Sequence, residues 1–344
     1  MHMSDALLSP AVGGAMWAAT AGAIAYSSRR VKQQNDDRLV PLMGVLGAFV
    51  FAAQMINFSI PGTGSSGHLG GGLLLAILLG PHAAFLTLAS VLVVQALFFA
   101  DGGLLALGCN IFNLGIFPCF IAYPLIYKTL VKKESPPGTI VLASLLGAVI
   151  GLQMGAFGVV LETSLSGISA LPFMSFVLLM QPIHLAIGIV EGLVTAAVIL
   201  YVRSLQPDLL QATAEVSPLK TGGGRRVLVG LLLTALVTAG SLSWFASANP
   251  DGLEWAIAHV AGVEELEAPA NGLYAALTRW QKETAFLPDY SLPTAGDKEE
   301  AVAAEESWPS VDAGTSLAGV VGGGLTLLLA GLGGLLLRRK ESTT

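Results

Sequence analysis

Residues 173–202, FMSFVLLMQPIHLAIGIVEGLVTAAVILYV, decide the class of fold. Glu191 is the only charged residue (Asp, Glu, Lys or Arg) in this stretch. The hydrocarbon core of a bilayer is about 30 Å thick, and about 20 apolar residues cross it as a helix. The stretch therefore predicts a membrane-spanning helix.

The composition of the whole chain agrees with this prediction. Of its 344 residues 53% are hydrophobic and only 12% are charged, and its mean hydropathy is +0.71. Soluble domains carry roughly 25% charged residues. The sequence therefore predicts an all-α polytopic membrane protein. The net charge of -6 does not suit nucleic acid or an anionic membrane surface as a partner.

Apolar runs of similar kind recur along the chain and predict about nine transmembrane helices. They lie near residues 9–27, 40–58, 69–80, 82–100, 104–127, 139–161, 173–202, 227–247 and 316–337. The third run is short and meets the fourth at Gly80-Pro81, a dipeptide that breaks helices. We expect these two runs to form a helical hairpin.

The basic residues predict the orientation of the chain. Of the 17 Lys and Arg residues, all except Arg279, Lys282 and Lys298 fall in alternate loops of the nine-span arrangement. By the positive-inside rule those loops are cytoplasmic. We therefore expect a multi-pass protein of the inner (plasma) membrane with its N-terminus outside.

The polar stretch that contains TGGGRR predicts a division into two modules. We expect a seven-helix module over residues 1–215, a cytoplasmic linker over residues 216–226 and a two-helix module over residues 227–344. The segment 249–315 is then an external loop of the second module. It carries one histidine, His259, and no cysteine. We expect this module to regulate transport without holding a metal.

This topology brings Met1, His2 and His68 to one face of the membrane, where they could bind a metal ion. The N-terminal amine, the amide nitrogen of His2 and its Nδ1 atom can chelate one cation and fill three corners of a square plane. His68 lies in a Gly/Ser-rich loop and could supply the fourth nitrogen. Such a plane suits Ni(II) or Cu(II). The alternatives are a frayed terminus and a solvated loop.

Polar residues within or between the apolar runs are further candidates for functional or structural roles. His184 and Glu191 lie two turns apart on one helix face and predict either an ion pathway or a contact with a partner subunit. Asn110 and Asn113 predict hydrogen bonds between helices. Asp101 lies in a loop between runs and predicts a turn or a site that attracts cations.

Several blocks of the sequence resemble one family, the substrate-binding subunits of energy-coupling factor importers for cobalt and nickel (CbiM/NikM). The blocks are MHMSDALLSP (1–10), SSGHLGGGLLLAILLGPHAAFLTL (65–88), ALFFADGGLLALGCNIFNLGIF (96–117) and IHLAIGIVEGLVTAAV (183–198). The stretches NPDGLEWAI (249–257) and LPDY (287–290) are similar to the PDGLE domain of the accessory subunit, which resembles NikN and CbiN. The resemblance implies that Met1, His2 and His68 hold the metal. Ala6 and His82 replace the family's usual Gly and Trp.

The resemblance also implies a metal-capturing subunit that works with a transmembrane coupling (T) subunit and two ATPase subunits. The chain has no GxxxxGK[ST] phosphate loop, so we expect it not to be an enzyme. Ni(II) or Co(II) would be the transported substrate. The planar nitrogen set and the PDGLE module favour nickel, and the alternative is cobalt uptake for cobalamin synthesis.

Two alternatives come from other classes of protein. An intramembrane metalloprotease would be expected to carry HExxH, which this sequence lacks. A secondary cation transporter would be expected to show inverted repeats and buried charges near the midplane. Only Glu191 is a clear candidate for such a charge.

Overall fold

The computed structural model describes residues 2–34, 36–205, 224–263, 266–292 and 308–338, and it is mostly helical. A helix lies at each of the nine predicted spans, and two further helices lie in the segment predicted as an external loop. The helices are α1 (Pro10–Gln34), α2 (Leu39–Gln54), α3 (Gly72–Leu79), α4 (Pro81–Phe98), α5 (Leu107–Leu130, π-helical over Phe112–Tyr127), α6 (Pro137–Ser166), α7 (Phe173–Leu205), α8 (Gly224–Gly240), α9 (Gly252–Ala261), α10 (Gly272–Thr284) and α11 (Ala313–Leu337).

Five of these helices are long and apolar enough to cross a membrane by themselves, within the described ranges. They are α4, α5, α6, α7 and α11. The shortest helix at a predicted span is α3, whose eight residues cover roughly 12 Å and cannot cross the apolar core. It ends at Gly80, where φ is 77°, and Pro81 begins α4. The predicted break at Gly80-Pro81 is therefore confirmed.

A small sheet lies between α2 and α3, so the prediction of an all-α fold is wrong at this point. Strands β1 (Phe58–Ile60) and β2 (Ser65–Gly67) pair in antiparallel register, with Ser59 opposite Ser66. The turn between them contains Gly62 and Gly64, whose φ angles of 78° and 74° suit glycine. The sheet satisfies backbone groups of a loop that hydropathy alone left unassigned.

Helices α6 and α7 pack closely because glycines line their contact. A Cβ atom at Gly188 would lie 2.9 Å from the Cα atom of Val149, and one at Gly192 would lie 2.6 Å from that of Leu145. The opposite faces of both helices expose large apolar side chains, such as Leu146 on α6. Small residues at the contact and apolar residues outside are typical of membrane helices.

The second module packs against the first through α11. A Cβ atom at Gly44 of α2 would lie 2.9 Å from the carbonyl oxygen of Leu327, and one at Gly322 would overlap the ring of Phe51. Helices α2 and α11 therefore approach closely, because each has a glycine at the contact, Gly44 on α2 and Gly322 on α11. The predicted linker over residues 216–226 lies mostly outside the described residues, and α8 begins at Gly224.

We expect Gly322→Val to lower the melting temperature of the detergent-solubilised protein. The new side chain meets Phe51, and overpacking of this kind costs about 1–3 kcal/mol. The matched control is Gly324→Val on the same helix, where nothing lies within 4 Å of a Cβ atom. Equal melting temperatures for the two variants would contradict this packing.

Candidate metal centre

The N-terminal segment is built into the fold from His2 onward. The side chains of Met3, Leu7 and Leu8 are buried. Asn110 accepts a hydrogen bond from the Met3 amide at 2.8 Å and donates one to the Met3 carbonyl at 3.2 Å. The alternative of a frayed terminus is therefore wrong for His2 to Leu8, because apolar burial and these hydrogen bonds hold the segment. Met1 lies outside the described residues.

His2 and His68 are brought together although 65 residues separate them in the chain. Their rings are stacked, with centroids 5.1 Å apart and planes inclined by 18°. Within the described ranges, no three side chains of His, Cys, Asp and Glu form a group suited to a metal ion. The two imidazoles are the side chains of this place that we consider as ligands, and the Asp101 carboxylate lies beside His2.

The His2 ring is held by two polar side chains. Its Nδ1 atom lies 3.2 Å from Asp101 Oδ1, and its Nε2 atom lies 3.2 Å from Gln95 Oε1. The side chain is only 7% exposed. Burial lowers the pKa of His2, which favours the neutral ring. Metal binding requires a neutral imidazole.

The His68 ring has an orientation that suits metal coordination. Its Nδ1 atom lies 3.1 Å from the carbonyl oxygen of Leu69 and can donate a hydrogen bond to it. In that tautomer the lone pair lies on Nε2. Burial is the main cause that lowers the pKa of His68 to about 3, so the ring is neutral.

Glu191 fixes the backbone that follows His68. Its carboxylate accepts hydrogen bonds from the amides of Gly70 at 2.7 Å and Gly71 at 3.2 Å. Gln54 donates to the carbonyl of Gly70 at 2.9 Å. These contacts come from two different helices, α7 and α2, and they tie the His68 loop to both.

His184 and Glu191 lie on one face of α7, as their spacing of two turns predicted, and both side chains are buried within this chain. His184 is buried, and its Nδ1 atom lies 2.8 Å from the carbonyl oxygen of Met180 one turn earlier. Its Nε2 atom has no hydrogen-bond partner among the described residues. A Cβ atom at Gly252 would lie 3.3 Å from His184 Cε1, so this side chain faces the accessory module.

The two asparagines of α5 have different roles. Asn113 donates to the Glu162 carboxylate at 2.8 Å and thereby joins α5 to α6, which confirms the predicted hydrogen bond between helices. Asn110 instead binds the N-terminal segment. Sequence reasoning missed Glu162, although a buried carboxylate in an apolar run is a signal of the same kind as Glu191.

The accessory module contacts the site through the NPDGLE stretch. The amide of Ser66 donates to the carbonyl of Pro250 at 2.8 Å, and the Ser66 hydroxyl donates to the carbonyl of Asn249 at 2.8 Å. Asp251 then caps α9 by accepting from the amides of Leu253 and Glu254. The motif therefore lies along β2, two residues before His68. Sequence reasoning missed the capping box formed by Asp251 and Glu254, although an acidic pair three residues apart is a signal for one.

Comparisons with known proteins agree with this architecture and site. Residues 2–209 match the family model of the CbiM cobalt uptake substrate-specific transmembrane region, and residues 225–339 match the PDGLE domain. A relative from Archaeoglobus fulgidus, provisionally named a fused nickel transport protein NikMN, is 31% identical over 96% of both chains. The cobalt transport protein CbiM of Geobacter sulfurreducens is 29% identical over 70% of this chain and 72% of its own length.

A solved structure supports the same assignment. The crystal structure of a transition metal transporter has a TM-score of 0.54 and 29% identity, over 63% of this chain and all of its own. The fold and these similarities define a multi-pass membrane component of a transition-metal transporter for nickel or cobalt, which is not an enzyme. The chain belongs to the CbiM family, with a PDGLE domain on the same polypeptide.

We expect Glu191→Ala to destabilise the protein, because two buried amides lose their acceptor. Hydrogen bonds to charged groups contribute about 1.5–3 kcal/mol each. The melting temperature in detergent measures this loss. Glu134→Ala makes the same change at an exposed position and is the control. A Glu191→Ala protein as stable as the Glu134→Ala protein would show that Glu191 does not hold the loop.

Proposed function

We propose that this chain is the metal-capturing subunit of an ATP-driven importer of the energy-coupling factor type, with nickel as its substrate. The ion would be bound by the Met1 amine, the amide nitrogen and Nδ1 of His2, and a ring nitrogen of His68. The stacking of the His2 and His68 rings at 5.1 Å is the observation that carries this proposal. Their neutral rings supply the form of imidazole that binds metal.

The choice of nickel rests on the chemistry of the ligands. Four nitrogens in a plane suit Ni(II) or Cu(II), whereas Co(II) has no comparable preference for a square plane. The PDGLE domain also favours nickel, because a fused relative that matches 96% of this chain carries a nickel name. Cobalt uptake is the alternative, supported by the name of the Geobacter relative.

Transport would require other subunits. The chain contains no phosphate-binding GxxxxGK[ST] loop, so we assign ATP hydrolysis to two ATPase subunits coupled through a T subunit. The captured ion enters from outside, in keeping with the predicted orientation. Glu191 positions the loop of His68. His184, whose buried Nε2 atom has no hydrogen-bond partner among the described residues, is a candidate ligand for the ion after it leaves the first site.

Placing two residues before Met1 should abolish high-affinity nickel binding, because the chelating amine becomes an amide. The extension should be designed with a protease site that regenerates the native Met1 on cleavage. This control is needed because the segment from His2 is built into the fold and an extension could disturb it. Titration calorimetry should show no binding before cleavage and restored binding afterwards. An extended protein that binds nickel with unchanged affinity would exclude the amine as a ligand.

We expect His2→Ala to weaken nickel binding more than His68→Ala. Loss of the His2 ring breaks a chelate, whereas water can replace the single donor of His68. The nickel affinity and absorption spectrum of each purified variant measure the difference. Planar Ni(II) with four nitrogens is diamagnetic, so a paramagnetic nickel complex of the wild type would count against the planar site.

The transport cycle itself separates this proposal from a secondary transporter. Uptake should require ATP hydrolysis in vesicles reconstituted with the chain, the T subunit and both ATPase subunits. Nickel uptake driven by an ion gradient in vesicles that contain this chain alone would overturn the assignment.

A further inference from the structure

Three residues with left-handed backbone conformation meet at one contact between the modules. Within the described part of the chain, the non-glycine residues with positive φ are Ala100 at 57°, Asp289 at 51° and Tyr290 at 56°. The amide of Asp289 donates to the carbonyl of Phe99 at 3.0 Å, so the strained segments lie against each other. Such conformations persist where the surroundings impose them, and they concentrate at functional sites.

This contact reaches His2 through Asp101. The hydroxyl of Tyr290 donates to Asp101 Oδ2 at 2.5 Å, and Asp101 Oδ1 lies 3.2 Å from His2 Nδ1. The Tyr290 ring stacks on Phe99, with centroids 4.9 Å apart and planes inclined by 14°. One side chain of the accessory module therefore reaches the His2 ring through a single carboxylate.

A second side chain of the accessory module braces the same loop. Gln281 on α10 donates to the carbonyl of Ala96 at 2.9 Å and to that of Gly102 at 2.7 Å. These carbonyls lie on either side of Asp101 in the chain. The loop is therefore held at its backbone by Gln281 and at its carboxylate by Tyr290.

The partners of the His2 ring determine where its proton lies. Both ring nitrogens face acceptors, and a neutral ring has only one N–H group. A carboxylate accepts a stronger hydrogen bond than the amide oxygen of Gln95. These contacts favour the tautomer whose N–H group is on Nδ1 and faces Asp101, and Nδ1 is the atom that the proposed chelate uses.

We propose that Tyr290 is a positioning residue that keeps Asp101 on His2 Nδ1 and so slows the entry of the metal. The accessory module thereby acts as a latch on the His2 ring. Nickel binds at Nδ1 when the ring takes the other neutral tautomer, in which Nε2 carries the N–H group and donates to Gln95 Oε1 at 3.2 Å. The hydrogen bond from Tyr290 holds Asp101 on Nδ1 and opposes this exchange. This inference rests on the proposed function, in which Nδ1 is a ligand.

The test compares two tyrosines of the accessory module in the full-length protein. Tyr290→Phe keeps the ring on Phe99 and removes only the hydroxyl. Tyr274→Phe is the matched control, because its hydroxyl also donates across the modules, to the carbonyl of Leu8 at 2.7 Å, but does not touch Asp101. Stopped-flow measurement should show nickel association about tenfold faster in Tyr290→Phe and within twofold of the wild type in Tyr274→Phe. Unchanged or slower association in Tyr290→Phe would overturn the latch.

A measurement without metal separates failure of the latch from failure of the proposed function. In protein labelled with ring-¹⁵N histidine, the His2 signals are assigned by their loss in His2→Ala. Tyr290→Phe should move the His2 Nδ1 signal, and Tyr274→Phe should leave it in place. If the signal moves as expected but the wild type binds no nickel, Tyr290 positions Asp101 on His2 as inferred, and the proposed function is wrong. If the wild type binds nickel and the signal stays in place in Tyr290→Phe, the latch is wrong.

Discussion

The hydrogen bonds between Asn110 and the backbone of Met3 are the constraint on which the site depends. A chain terminus ordinarily frays, because few contacts oppose its conformational entropy. Here the buried side chains of Met3, Leu7 and Leu8 each contribute about 1.5–3 kcal/mol by leaving water. Burial of the backbone is tolerable only if its polar groups are satisfied, and Asn110 satisfies both groups of Met3. His2 is thereby held at a fixed place one residue earlier.

A continuous chain of hydrogen bonds then connects His2 to Gly70, two residues after His68. His2 contacts Gln95, whose side-chain amide donates to Gln54 at 2.9 Å, and Gln54 donates to Gly70. Glu191 accepts from the amide of Gly70 on the other side. In a water-poor interior such a network is stable when its members are paired, and it fixes geometry more firmly than the separate bonds would. The loop of His68 and the ring of His2 are therefore positioned as one unit.

The sequence predicted where helices lie and that His2 and His68 share one face, and the structure has helices at those places and stacks the two rings. Apolar runs report helices in lipid, and the basic residues report how such runs alternate across the membrane. It did not predict the contacts that build the site. Gln54 and Gln95 are uncharged residues within apolar runs, so they carry little signal, and their partners lie far away in the chain. Asn110 was expected to join two helices, but its side chain instead binds the backbone of Met3 in the N-terminal segment.

The accessory module contacts the candidate site at two places, the strand that precedes His68 and the loop that contains Asp101. Pro250 pairs with Ser66 just before His68, and Tyr290 binds the carboxylate that faces His2. Each contact involves only a few hydrogen bonds, and the second includes left-handed residues that cost conformational energy. Such contacts would be weak between separate chains, but covalent fusion makes their formation intramolecular and raises the effective concentration of the module. Contacts that are individually weak can also be released one at a time. Because α11 packs closely against α2 at Gly44 and Gly322, the module remains docked while Asp101 exchanges its hold on His2.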